Sequence, residues 1–149
     1  MDSILILQTF LDDMAKAVME GDFPTYRRST CLPFHLITHD SNIVVTTEED
    51  LRQGFESFRS LLQTQRVTDY IRLVESVQRL DDTLITGRYV SHLIAGAMRV
   101  VPPFHSQITL RLSDDRWQAA SITNALANSR WPVQVLSVPQ TDPEKGPEQ

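Results

Sequence analysis

Cysteine is almost missing from this chain: Cys31 is the only one in 149 residues. An internal disulfide is therefore impossible, and a zinc centre built on several cysteines is excluded, which suits a reducing compartment. Basic clusters are also missing. The chain has 14 Lys and Arg against 19 Asp and Glu, a net charge of -5, with no basic stripe of the kind that releases counterions from phosphates, so no nucleic-acid partner is expected. No apolar run approaches the ~20 residues that cross a bilayer, so no membrane partner is expected either. The apolar start from Ile4 to Leu7 lies between Asp2 and Asp12-Asp13, without the basic flank of a secretory signal, and a cytoplasmic location is the expectation. What is present is ordinary for a folded domain. With 41% hydrophobic and 22% charged residues, the chain matches neither a disordered segment nor a disulfide scaffold, and its length can bury a single core.

Ile4, Leu7, Leu11, Met14 and Val18 recur at three- and four-residue steps and predict a helix with one apolar stripe. Gly21 can stop it, and Asp22 can cap a short second helix that carries Pro24 in its first turn. Leu32–Thr38 and Ile43–Thr46 read as two extended pieces joined by the turn formers His39, Asp40, Ser41 and Asn42. Thr46 with Glu49 forms a capping box for a third helix, with Leu51, Phe55, Phe58 and Leu62 on one face. From Val67 onward, β-branched and aromatic residues dominate four segments: Val67–Leu80, Thr83–Val101, Phe104–Leu112 and Trp117–Ala125. They predict an antiparallel meander, whose first two strands are long enough to need bends or bulges, with Gly87 and Gly96 as candidate places. A last extended piece, Val133–Val138, is a candidate edge strand. Helices first and strands last predict one α+β domain over residues 1–138, and the proline-rich tail 139–149 is expected to be disordered.

The segments MAKAVMEGDF (Met14–Phe23), VVTTEEDLRQGFESF (Val44–Phe58) and SQITLRLSDDRWQAASITNAL (Ser106–Leu126), in that order, resemble the nuclear transport factor two-like superfamily. It includes ketosteroid isomerase, scytalone dehydratase and the SnoaL-like cyclases. The resemblance implies a cystatin-like cone, in which a curved, mixed, mostly antiparallel sheet wraps around N-terminal helices and leaves a pocket open at one end. It also implies a homodimer paired through the outer sheet face. An isomerase of this family would carry a tyrosine about where Met14 stands and an acid near Ile108 or Thr109, so a steroid-isomerase mechanism is not expected. In ketosteroid isomerase a buried acid is held neutral so that it can donate to an oxyanion.

His39 and Asp40 fall in the bend where an isomerase base is expected and are candidate catalytic residues; as turn formers they could equally be solvated. On the strand from Val67, Glu75 alternates with Ile71, Leu73 and Val77, and on the next strand Tyr89 and Ser91 share a face with Ile85 and Leu93. Glu75, Tyr89 and Ser91 are therefore candidate pocket residues, polar groups in an apolar surround. Glu75 could instead pair with an arginine on the outer surface. His35 and His39 are too far apart on an extended chain to share an ion, His105 is expected to face outward, and no metal or other cofactor is expected. Cys31 lacks a neighbour that would activate it. The expected function is binding of a small apolar molecule, with or without a carbonyl group, in an internal pocket, with or without lyase, isomerase or cyclase turnover. The competing reading is a partner or accessory subunit that binds protein through the outer sheet face.

Overall fold

Asp2 opens the first helix by accepting a hydrogen bond from the Ile4 N–H, and α1 runs over Ser3–Glu20. In this computed structural model the described residues are 2–126, 131 and 136–139. The α1 stripe buries Leu7, Leu11, Met14 and Val18 as the spacing predicts, but Ile4 stays exposed and Phe10 joins the core instead. Gly21 ends the helix at φ 77°, a left-handed conformation that favours glycine. Asp22 caps α2 (Phe23–Arg28) by accepting from the Thr25 N–H.

A hairpin follows, with β1 at Thr30–Ile37 and β2 at Asn42–Val45 joined through the expected bend. The cap of α3 (Glu48–Thr64) is Thr47, which accepts from the Asp50 N–H, one residue later than the predicted Thr46. Its apolar face buries Leu51, Phe55 and Leu62. The meander is β3 (Asp69–Asp81), β4 (Leu84–Ala95), β5 (Met98–Arg99), β6 (Phe104–Ser113) and β7 (Arg116–Asn124). The predicted strand Thr83–Val101 is in fact broken at Gly96, which takes φ 66°, and the chain folds back so that β5 pairs with the end of β4.

The strands form one strongly curled mixed sheet in the order β2-β1-β7-β6-β4-β3, with β1 parallel to β7 and the remaining pairs antiparallel. The fold is thus α+β, a half-barrel closed by the helices. A register shift between Val74 and Ser76 leaves Glu75 as the extra residue of a bulge, and a shift between Thr109 and Leu110 of β6 leaves Ala120 as an extra residue of β7. Bulges of this kind bend a strand and steepen its twist. Gly87 is not a bulge site; it pairs in register with Val77 and gives α1 room to approach the sheet. The free edge of β3 is covered by α1, because the Gln8 amide donates to the Arg72 carbonyl at 2.7 Å and accepts from the Val74 N–H at 3.0 Å. No helix among the described residues is long and apolar enough to cross a membrane. Residues 133–135 of the predicted last strand and residues 140–149 of the predicted tail lie outside the described residues, and 136–139 carry no regular structure.

Candidate functional site

Alternation along β3 and its register with β4 decide what faces the inside of the cone. Three cross-strand pairs, Tyr70 with Leu93, Arg72 with Ser91 and Val74 with Tyr89, point inward, while Ile71 and Leu73 point out. From β6, Phe104, Ser106 and Ile108 join the inner layer. Between this wall and α1 lies a hollow of about 110 Å³. Phe10, Met14 and Val18 of α1 and Phe58 of α3 form its apolar side, and Tyr70, Arg72, Tyr89, Ser91, Ser106 and Asn124 form a polar patch opposite. Tyr26 of α2 also borders it, so all three tyrosines of the chain meet at this cavity. Trp131 and Leu136 border it from the C-terminal side; the Trp131 ring lies where Gly54 leaves α3 bare, and its indole N–H donates to the Asp50 carbonyl at 3.2 Å.

Arg72 is the most unusual of these groups. Only 7% of it is exposed, yet its guanidinium is always charged. One terminal nitrogen, Nη2, donates to the Leu11 carbonyl at 3.0 Å, while Nε is shut away from solvent with no acceptor among the described residues. The guanidinium carbon stands 4.9 Å from the Tyr70 ring centre and 5.5 Å from that of Tyr89, within cation–π range. Burial works against its charge and the phenols of Tyr70, Tyr89 and Tyr26 work for it, with a net upward shift of its pKa. Burial in turn pushes the Tyr26 phenol up to about 12 and raises that of Tyr70. These two hydroxyls are therefore neutral donors at physiological pH.

The sequence-predicted residues are placed unevenly. Tyr89 and Ser91 border the cavity, both buried, beside Arg72. Glu75 does not join them. As the bulge residue it faces the outer side of the sheet, where its Oε1 meets His105 Nδ1 at 2.8 Å and Arg88 Nε at 3.2 Å. The hydrogen bond with His105, then that with Arg88, hold its carboxyl below the usual range. The expectation that Glu75 shares the inner face is thus corrected; the outward pairing with an arginine is the one observed, and His105 faces outward as expected. His39 and Asp40 are exposed in the β1–β2 bend and do not border the cavity, although the His39 N–H donates to the carbonyl of Leu126, a lining residue. Met14 and Ile108, which stand about where a steroid isomerase would carry polar groups, both border the hollow as apolar walls.

Arg72, Tyr70, Tyr26, Ser106 and Asn124 were not singled out from the sequence. The only signal was the alternation Tyr70, Arg72, Val74, and it competed with the more apolar set Ile71, Leu73 on the other face.

No family model matches the chain, and no curated protein matches it. Solved structures do. A nuclear transport factor two-like protein of unknown function from Shewanella oneidensis is 12% identical, covering 78% of this chain and 93% of its own, with a TM-score of 0.62. A protein of unknown function with a cystatin-like fold from Nostoc punctiforme is 12% identical over 84% of this chain and 92% of its own, with a TM-score of 0.62. A protein of unknown function from Mycobacterium tuberculosis is 16% identical over 81% of this chain and 69% of its own, with a TM-score of 0.60. At such identities the likeness is one of fold, and the fold is the nuclear transport factor two-like, cystatin-like cone.

Proposed function

We propose that this cone binds a compact, mostly apolar molecule in its interior and holds an oxygen of that molecule against the polar patch. The supporting observation is the hollow of about 110 Å³, apolar on the helical side and lined opposite by convergent hydroxyls, an amide and a guanidinium. Pockets that combine an apolar surround with a few fixed polar groups are the usual form of a ligand site. The size sets the guest: a cavity of about 150 Å³ takes up benzene, so a molecule of about six carbon atoms is the upper range here.

Binding without turnover is the form of this reading that the site chemistry favours. General acid–base catalysis works best with a group whose pKa lies near the operating pH. The described lining offers phenols, one of them at about 12, and a guanidinium, while His39 and Asp40 stand outside it. Replacing His39 or Asp40 by alanine is accordingly expected to leave ligand affinity unchanged.

Thermal melting with a panel of benzene-sized compounds tests the reading. A true ligand at a hundredfold excess over its Kd stabilises by about 2.7 kcal/mol, roughly 5 °C or more for a domain of this size. Ser106→Leu extends a buried side chain into the hollow and should fold but lose the shift. A wild-type protein that no member of the panel stabilises would remove the ligand.

A further inference from the structure

We propose that the guest of this cavity is a small monocarboxylic acid and that Arg72 receives its carboxylate; this rests on the reading of the hollow as a ligand site. Buried charges in folded proteins are paired, because an unpaired one loses its hydration without compensation. Arg72 breaks that rule among the described residues. The ion pairs found there are Arg27 with Glu48, and Glu75 with Arg88 and His105, all at the surface, and no described aspartate or glutamate lines the cavity. Its protein partners are the Leu11 carbonyl, a hydrogen bond with the neutral side chain of Tyr89 and the ring faces of Tyr70 and Tyr89, none of them an anion, and the Nε–H has no acceptor among the described residues.

The tyrosines cannot take the place of the missing anion. Burial keeps Tyr26 and Tyr70 protonated, so they present hydroxyls and ring faces and no negative charge. What the described residues do not supply is one negative charge with planar oxygen acceptors, which is the description of a carboxylate facing a guanidinium fork. The buried Ser91 and Ser106 hydroxyls stand on the same wall, where a second oxygen can be held. The remainder of the guest must be apolar, to match Phe10, Met14, Val18 and Phe58, and must fit about 110 Å³. Short branched aliphatic acids of no more than about six carbon atoms meet all three conditions.

Calorimetric titration of the full chain at neutral pH with isobutyrate and isovalerate, against isobutyramide and isovaleramide, is the direct test. Each amide matches its acid in shape and lacks only the charge. The acids should bind at least about tenfold tighter than the amides, the scale of a charge-assisted hydrogen bond over a neutral one. Arg72→Met should keep amide binding and lose the preference for the acid. Arg72→Lys, which retains charge without the planar fork, should fall between, and it decides the matter if the methionine variant does not fold. Amides that bind as well as the acids to the wild type would make Arg72 a structural cation and leave the cavity reading standing. Binding of neither series would overturn the cavity reading and this one with it.

Discussion

Tyr26, Tyr70 and Arg72 hold fixed charge states over the neutral range, and Tyr26 gives the clearest signature of that. Its phenol is raised to about 12 by burial, whereas an exposed phenol titrates near 10. A folded-state pKa above the unfolded one means that the folded protein disfavours the ionised form. Its contribution to stability is complete below about pH 10 and declines as the pH rises toward 12, because the unfolded chain releases that proton first. Tyr26→Phe keeps the ring against Phe55, whose centroid is 4.8 Å away, and removes the ionisable group. The variant should therefore unfold at higher pH than the wild type in an alkaline titration followed by circular dichroism. Near-ultraviolet absorbance should show the wild-type Tyr26 phenol among the last to ionise. A Tyr26 that ionises near 10 would mean that the cavity admits water freely.

Between residues and the whole lie the contacts of elements, among them the close approach of Leu7 of α1 to Gly87 of β4. A Cβ at Gly87 would overlap the end of Leu7 and sit 3.2 Å from the Ser76 carbonyl, and Leu7 is fully buried. Gly87→Ala should cost about 1–3 kcal/mol, the range for an overpacked core. Leu7→Ala alone should cost about 2–5 kcal/mol through the cavity it leaves. The double variant should cost less than the sum, since each change relieves the other, and urea unfolding of the four proteins measures that coupling. Additive costs would mean that Leu7 moves aside freely.

The same scale explains what the sequence disclosed. The stripe of α1, the Gly21 stop, the Asp22 cap and the α3 face were legible because each is set by residues within a few positions of one another. The α3 cap was off by one because Thr46 has Glu49 three residues on and Thr47 has Asp50, two patterns of the same chemistry. The strand faces were harder. Hydrophobicity favoured Ile71 and Leu73 as the inner set on β3, but these remain 40% and 48% exposed while Arg72 is buried. A face is settled by what packs against it, here Leu11 and Gln8 of α1, more than sixty residues away in the chain. The bulge at Glu75 is equally non-local, since it exists only in the register of β3 with β4.

At the scale of the whole molecule, the outward residues of the sheet raise the question of what covers them. Ile71 and Leu73 project from one flank of the outer face and Ile37 and Val44 from the other, all at least 40% exposed, and between them Arg88 of β4 and His105 of β6 meet Glu75 of β3. We propose that this face meets the same face of a second copy. A two-fold interface requires one surface to be complementary to itself, and a face carrying both apolar flanks and both signs of charge can meet that condition, where a face of one charge sign would repel its copy. Stable pairing needs about 800 Å² from each partner, more than these four side chains supply, so the half-buried Val90 and the polar centre must be covered as well. Leu73→Glu places a new charge in the covered area without touching the core and should convert a dimer to a monomer in light scattering coupled to gel filtration. The melting temperature of the monomer, extrapolated to low concentration, should be unchanged by the substitution. A wild-type chain that runs as a monomer at tens of micromolar would leave the outer face to a different partner, and the cavity, which lies on the opposite side of the sheet, would be unaffected by that outcome.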